Sequence, residues 1–125
     1  MVAIQRDYSD KGFLLVAINA NDDKKYPEDS FEMMVERAKV QGFNFPYLRD
    51  ESQEVARAYG AERTPEVFLT NSQGIVRYHG AIDDHYDDPQ AVQHHYLRDA
   101  IDAVLAGKEP PVTNTAPVGC TIKWK

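Results

Sequence analysis

The sequence predicts a mixed α/β fold, a sheet flanked by helices. Three observations point there. Residues 13–18 form an unbroken apolar run. Segments with helical spacing alternate with short β-rich runs. Just past the middle, two β-rich runs flank the polar turn Asn71-Ser72-Gln73-Gly74.

Each element has a local signature. Ala3, Ile4 and Tyr8 recur at helical spacing, so the chain opens on the last turns of a helix that ends near Gly12. The run Phe13-Leu14-Leu15-Val16-Ala17-Ile18 suits a strand buried on both faces, as in a parallel sheet covered by helices. Asn19-Ala20-Asn21-Asp22-Asp23 stops it with loop chemistry. Asp29-Ser30-Phe31-Glu32 reads as a helix start with Asp29 as cap, and Phe31, Met34, Val35 and Ala38 give that helix one apolar face up to Gly42. A short strand is expected between Phe43 and Leu48, at an edge because of Pro46. Asp50-Glu51-Ser52-Gln53 caps a short helix, with Val55, Ala56 and Tyr59 turned inward, that ends at Gly60. Residues 66–69 and 75–79 form the hairpin. Asp88-Pro89 opens the last helix, with Leu97, Ala100, Ile101, Val104 and Leu105 as its buried stripe. The aromatic residues, Tyr47 and Tyr59 among them, are read as packing. Residues 108–125, which carry Pro110, Pro111 and Pro117, form an extended tail behind a domain spanning 1–107.

Composition narrows the function. A chain of 125 residues with 42% apolar and 27% charged content is an ordinary globular domain with a core of its own. Its net charge of −6 gives no attraction to phosphate backbones or anionic membranes, so neither nucleic acid nor membrane is expected as a partner. No apolar run approaches membrane-span length. The opening residues lack a secretory signal, and a cytoplasmic location is the default expectation. Cys120, the single cysteine, cannot form an internal disulfide, which agrees with a reducing compartment.

Three segments carry a resemblance. They are Ala17-Ile18-Asn19-Ala20-Asn21-Asp22 with Tyr26-Pro27-Glu28-Asp29-Ser30-Phe31; Pro46-Tyr47-Leu48-Arg49-Asp50-Glu51-Ser52-Gln53-Glu54-Val55-Ala56 with Tyr59-Gly60-Ala61 and Thr64-Pro65; and Gly119-Cys120-Thr121-Ile122-Lys123-Trp124-Lys125. Together they resemble the bacterial redoxins of the thioredoxin-like group, relatives of the peroxiredoxin-type antioxidant enzymes (alkyl hydroperoxide reductase and thiol-specific antioxidant). The resemblance implies a thioredoxin-like mixed sheet flanked by helices. It also implies a thiol–disulfide oxidoreductase or antioxidant function acting on a thiol or disulfide protein or a small thiol.

The resemblance further implies a Cys-x-x-Cys at the start of the first helix, just after the first strand. No Cys-x-x-Cys exists in the 125 residues. The chain is therefore read as N-terminally truncated, with the first strand and most of the first helix missing, and as inactive in dithiol exchange. That chemistry needs a second cysteine to resolve the mixed disulfide. By the resemblance, the missing strand is internal, between the strands at 13–18 and 66–69, so its loss leaves two strand edges unpaired. Such edges are templates for association, and each buried amide left unmatched costs about 1–3 kcal/mol. A homodimer through these edges is the expected consequence.

The candidate site residues are Cys120, Thr64 and Pro65. Cys120 is read either as an accessory or resolving thiol, or as a single-cysteine peroxidase nucleophile that uses an external thiol. The ordinary alternative is an inert cysteine packed under Trp124. The resemblance implies a cis bond before Pro65, which would present backbone to an extended substrate. Cis bonds are only about 5–6% of X-Pro bonds, so this expectation is specific. Arg63 precedes Thr64, so the position offers no extra thiol. A non-catalytic binding module using this same surface is the third reading. His79, His85, His94 and His95, with Asp83, Asp84, Asp87 and Asp88, lack metal-ligand spacing, so neither a metal nor another cofactor is expected.

Overall fold

The computed structural model describes residues 1–85 and 88–125. The chain divides into two compact units, one formed by Met1–Glu62 with Ile122–Lys125 and the other by Arg63–Thr121. The expected mixed sheet is realised as three two-stranded ladders.

In the first unit, helix α1 (Val2–Tyr8) runs into a 3₁₀ turn, Ser9–Lys11, and Gly12 ends it at φ 91°. Ile4, Gln5 and Tyr8 are its buried side. Gln5 is the unusual member. Its Oε1 accepts from the Leu15 N–H at 2.6 Å and its Nε2 donates to the Phe13 carbonyl at 3.3 Å. Strand β1 (Ala17–Asn19) follows and pairs in parallel with β2 (Tyr47–Arg49), in the register Ala17 to Tyr47, Ile18 to Leu48 and Asn19 to Arg49.

The expectation of a strand over 13–18 buried on both faces is corrected here. The ladder begins only at Ala17, and Leu14, Val16 and Ile18 are exposed while Leu15 is buried. Successive residues of an extended chain point to opposite faces, and only one face is covered. Leu48, opposite Ile18, is bare on the same side.

Helix α2 (Phe31–Gln41) starts one residue later than its acidic residues suggest. Ser30 is the cap and accepts from the Met33 N–H, while Asp29 ends a 3₁₀ turn and accepts from the side-chain amides of Asn19 and Asn21. Gly42 closes the helix at φ 65°. Of the expected apolar face, Met34 is buried, whereas Phe31 and Val35 face solvent. In helix α3 (Glu54–Tyr59), Ala56 is buried but Val55 and Tyr59 are exposed. Asp50 caps this helix by accepting from the Ala56 N–H at 2.9 Å. Ala56 joins Ala20 and Ile122 in a small core, with Ala61 packed against it. Buried Gln53, at φ 65°, fastens the last residues by donating to the Ala20 and Lys123 carbonyls and accepting from the Lys125 N–H.

In the second unit, β3 (Arg63–Thr64) pairs antiparallel with β6 (Cys120–Thr121). Strands β4 (Val67–Thr70) and β5 (Val76–Gly80) form the expected hairpin. Its turn is held by Asn71 Oδ1, which accepts from the N–H groups of Gln73 and Ile75. The stretch 108–125 is extended, and it supplies pairing partners. The His79 N–H donates to the Thr113 carbonyl and the Thr115 N–H to the His79 carbonyl, so both sides of β5 are occupied at that point.

Tyr78 is fully buried here. Its hydroxyl bonds the Ala81 carbonyl and the Thr115 hydroxyl, and Thr115 Oγ1 accepts from the Ala81 N–H. A Cβ at Gly80, whose φ is 146°, would collide with Thr115.

Helix α4 (Tyr96–Leu105) packs Leu97, Ala100 and Ile101 inward against the hairpin, while Leu105 faces solvent. The expected start at Asp88-Pro89 is also corrected. Asp88 caps a 3₁₀ turn, Pro89–Ala91, and the chain leaves helical geometry at Val92. Bonds from the Gln93 N–H to Asp84 and from the Asp84 N–H to the His94 carbonyl engage residues 93 and 94 instead, and the helix begins only at Tyr96. No described helix is long and apolar enough to cross a membrane.

Burial raises the Tyr78 phenol above its ordinary pKa, against the opposing pull of the Thr115 hydrogen bond. A raised native pKa contributes stability that is whole below the ordinary phenol value of about 10 and is lost as pH rises through the native value. Tyr78→Phe should therefore cost on the order of 1–2 kcal/mol at neutral pH and flatten the alkaline fall in stability. Urea unfolding at neutral and alkaline pH measures both effects.

Candidate functional site

The site residues lie in the second unit, where the β3–β6 ladder joins distant parts of the chain. Its register sets Thr64 opposite Cys120 and Arg63 opposite Thr121. Directly opposed residues of an antiparallel pair share a face, with Cβ atoms about 5 Å apart. The Thr64 and Cys120 side chains therefore point the same way, and both residues are exposed. The Thr64–Pro65 bond is cis, and Pro65 is exposed as well. Cys120 is a free thiol on a strand rather than a packed tail residue.

Three further residues build this place, and the sequence reading gave them no role. At Gly119, a Cβ would collide with the Thr64 carbonyl and crowd Pro65 Cδ, so only glycine permits the close approach. Arg63 Nη1 donates to the Gly119 carbonyl at 3.4 Å. Glu66, just past the cis bond, accepts from the Arg63 N–H at 3.0 Å through Oε1 and meets His79 Nε2 at 2.5 Å through Oε2. The Glu66 side chain is only 3% exposed, against 35% for His79. The His79 ring stacks on Phe68, with centroids 4.4 Å apart. The available signals were a carboxylate heading an otherwise apolar β run and a histidine across the hairpin.

The histidine–aspartate region does something else. Asp84 is exposed; desolvation is the largest single influence on its carboxyl and raises it, but hydrogen bonds from the Gln93 and His94 backbone, with the His94 charge, together hold it below the usual range. His94 stacks on Tyr96. Asp87 lies outside the described residues. Among those described, no group of three or more His, Cys, Asp or Glu is arranged to hold a metal ion.

The model of the Redoxin family matches residues 1–94. The chain belongs to the Redoxin family. Thr64, Pro65, Glu66 and His79 lie within the matched residues, and Gly119 and Cys120 beyond them. Two solved structures align with nearly the whole redoxin chain. One is a hypothetical protein from Sinorhizobium meliloti 1021, at 42% identity and a TM-score of 0.92, covering 99% of this chain and 68% of that one. The other is an uncharacterized conserved protein from Geobacillus kaustophilus, at 42% identity and a TM-score of 0.92, covering 99% of this chain and 66% of that one. This redoxin thus spans about two thirds of the length of each. No curated protein matches it. The fold is the redoxin, thioredoxin-like one, and the chemistry it supports is of redox type.

Gly119→Ala should force β6 away from β3 at a cost of about 1–3 kcal/mol. Amide hydrogen exchange at β3 and β6 should quicken in this variant, together with a lower urea midpoint.

Proposed function

We propose that this redoxin is a thiol–disulfide oxidoreductase or antioxidant domain whose own 125 residues lack the dithiol motif, so that alone it forms a mixed disulfide but does not turn over. The observation that carries the reading is an exposed thiol, Cys120, on the rung opposite Thr64 and beside the cis bond to Pro65. An extended segment of a disulfide protein laid along this backbone brings its sulfur to the thiol. The Cys120 thiolate then attacks one sulfur of the disulfide. A new S–S bond forms to Cys120, and the other sulfur leaves as a thiolate. Resolution needs a second thiol, supplied from outside these residues as a protein or small thiol. A free exposed cysteine fits a reducing compartment, so a cytoplasmic location belongs to the same reading.

The test is a disulfide reduction assay with stoichiometry. The chain should give one equivalent of mixed disulfide, no catalysed turnover, and neither product in Cys120→Ser. Turnover of peroxide with an external thiol, through a Cys120 sulfenic acid, would favour the single-cysteine peroxidase instead. Unreactive Cys120 with tight binding of an extended peptide would favour the binding module.

A second reading concerns the partner, and β1 favours it. Among the described residues this strand pairs only with β2, and Leu14, 68% exposed, and Ile18, 46% exposed, lie in a run without charge or proline. Unguarded strand edges of this composition add a further strand readily, which supports a homodimer. Light scattering across a concentration series should show association, and Val16→Lys should return the chain to monomer. A wild-type chain that stays monomeric at high concentration would end this reading.

A further inference from the structure

We infer that Glu66 is a positioning residue for the Thr64–Pro65–Cys120 site, acting through a buried carboxylate shared between the Arg63 backbone and the His79 ring. This rests on the redox reading of that site. The geometry is specific. A carboxylate 3% exposed is costly to bury unless its oxygens are hydrogen-bonded. Here one oxygen takes the Arg63 N–H, just before Thr64, and the other takes His79 Nε2. The His79 ring is itself fixed by stacking on Phe68, and its backbone is bonded on both N–H and carbonyl to the 113–115 stretch. The hairpin is thus the rigid base, His79 its post, and Glu66 the link from the post to the peptide that carries Thr64. Thr64 in turn stands opposite Cys120, where Gly119 allows the two backbones to touch.

An ionised carboxylate only accepts hydrogen bonds, so with Glu66 charged the His79 ring carries its hydrogen on Nε2. A glutamine can accept from the Arg63 N–H with its oxygen and donate to the ring with its nitrogen. Glu66→Gln should therefore keep the link while moving the neutral ring's hydrogen to Nδ1, a change that ¹⁵N NMR of His79 reads directly. Glu66→Ala removes both bonds. Glu66→Asp keeps the charge but is too short by one methylene to span both partners.

The experiment compares two disulfides activated with the same leaving group, thionitrobenzoate. One is on free cysteine, and the other is on a cysteine within an extended peptide. Cys120 attacks each, forms its disulfide with the cysteine sulfur and releases thionitrobenzoate, so the ratio of the two rates measures what docking adds. In the wild-type chain the peptide should react faster by about tenfold or more, since misplacement on the scale of 1 Å costs up to about a hundredfold. In Glu66→Ala, confirmed folded by circular dichroism, the ratio should fall to near one, and Glu66→Gln should restore it. A merely structural role would lower stability and leave the ratio alone. A folded Glu66→Ala that keeps the wild-type ratio overturns the inference. If that variant does not fold, Glu66→Asp carries the test, with the same fall expected and an unchanged ratio overturning the inference. A wild-type ratio near one fails differently, because it removes the redox reading itself and leaves Glu66 nothing to position.

Discussion

The β3–β6 ladder has only two rungs, and it brings residues from opposite ends of the second unit to one surface. A ladder this short has little hydrogen bonding of its own, so its geometry is imposed by its surroundings. Gly119 permits contact with the Thr64 carbonyl, Arg63 reaches back to the Gly119 carbonyl, and Glu66 ties the Arg63 amide to the hairpin. Each is a polar or steric condition on backbone position rather than a hydrophobic contact. The apolar packing of the unit sits elsewhere, where α4 sets Leu97, Ala100 and Ile101 against the hairpin. Apolar packing and site geometry are thus carried by largely separate residues.

What the sequence revealed about this fold was mostly local. Gly12, Gly42 and Gly60 end helices with positive φ, and Asn71 with Gly74 turns the hairpin, because these conformations are set by one or two residues. Burial was harder to read. Phe31 and Val35 keep helical spacing, and residues 13–18 keep β character, yet half of each pattern meets solvent because no described element covers it. Spacing says which residues share a face, and only the packing partner decides whether that face is inside. The start of α4 departs from its sequence signal for a related reason. Asp88 does cap a turn, but bonds between residues 82–84 and 93–97 override its continuation.

At the site, the resemblance pointed to Thr64 and Pro65, and Cys120 stood out as the single cysteine. Their meeting depends on a pairing far apart in sequence, to which no local signal corresponds. Glu66 and His79 were visible as types but not as partners, since the hairpin register that brings Phe68 opposite His79 had to be known first. The Redoxin match stops at residue 94, so the half of the site that bears the thiol belongs to the part that only whole-chain similarity covers.

Gln5 offers a different lesson. Its side-chain amide uses its oxygen and one of its two N–H groups as a peptide unit of a strand would, accepting from the Leu15 N–H and donating to the Phe13 carbonyl. In effect the helix lends the chain one rung of ladder from its own flank. That fixes α1 in rotation as well as in place. Turning the helix by one residue swings the amide through about 100° and leaves two backbone groups unanswered. The first helix is therefore indexed to the segment that leads into β1 like a key cut for one lock, by a polar group where a leucine would be expected.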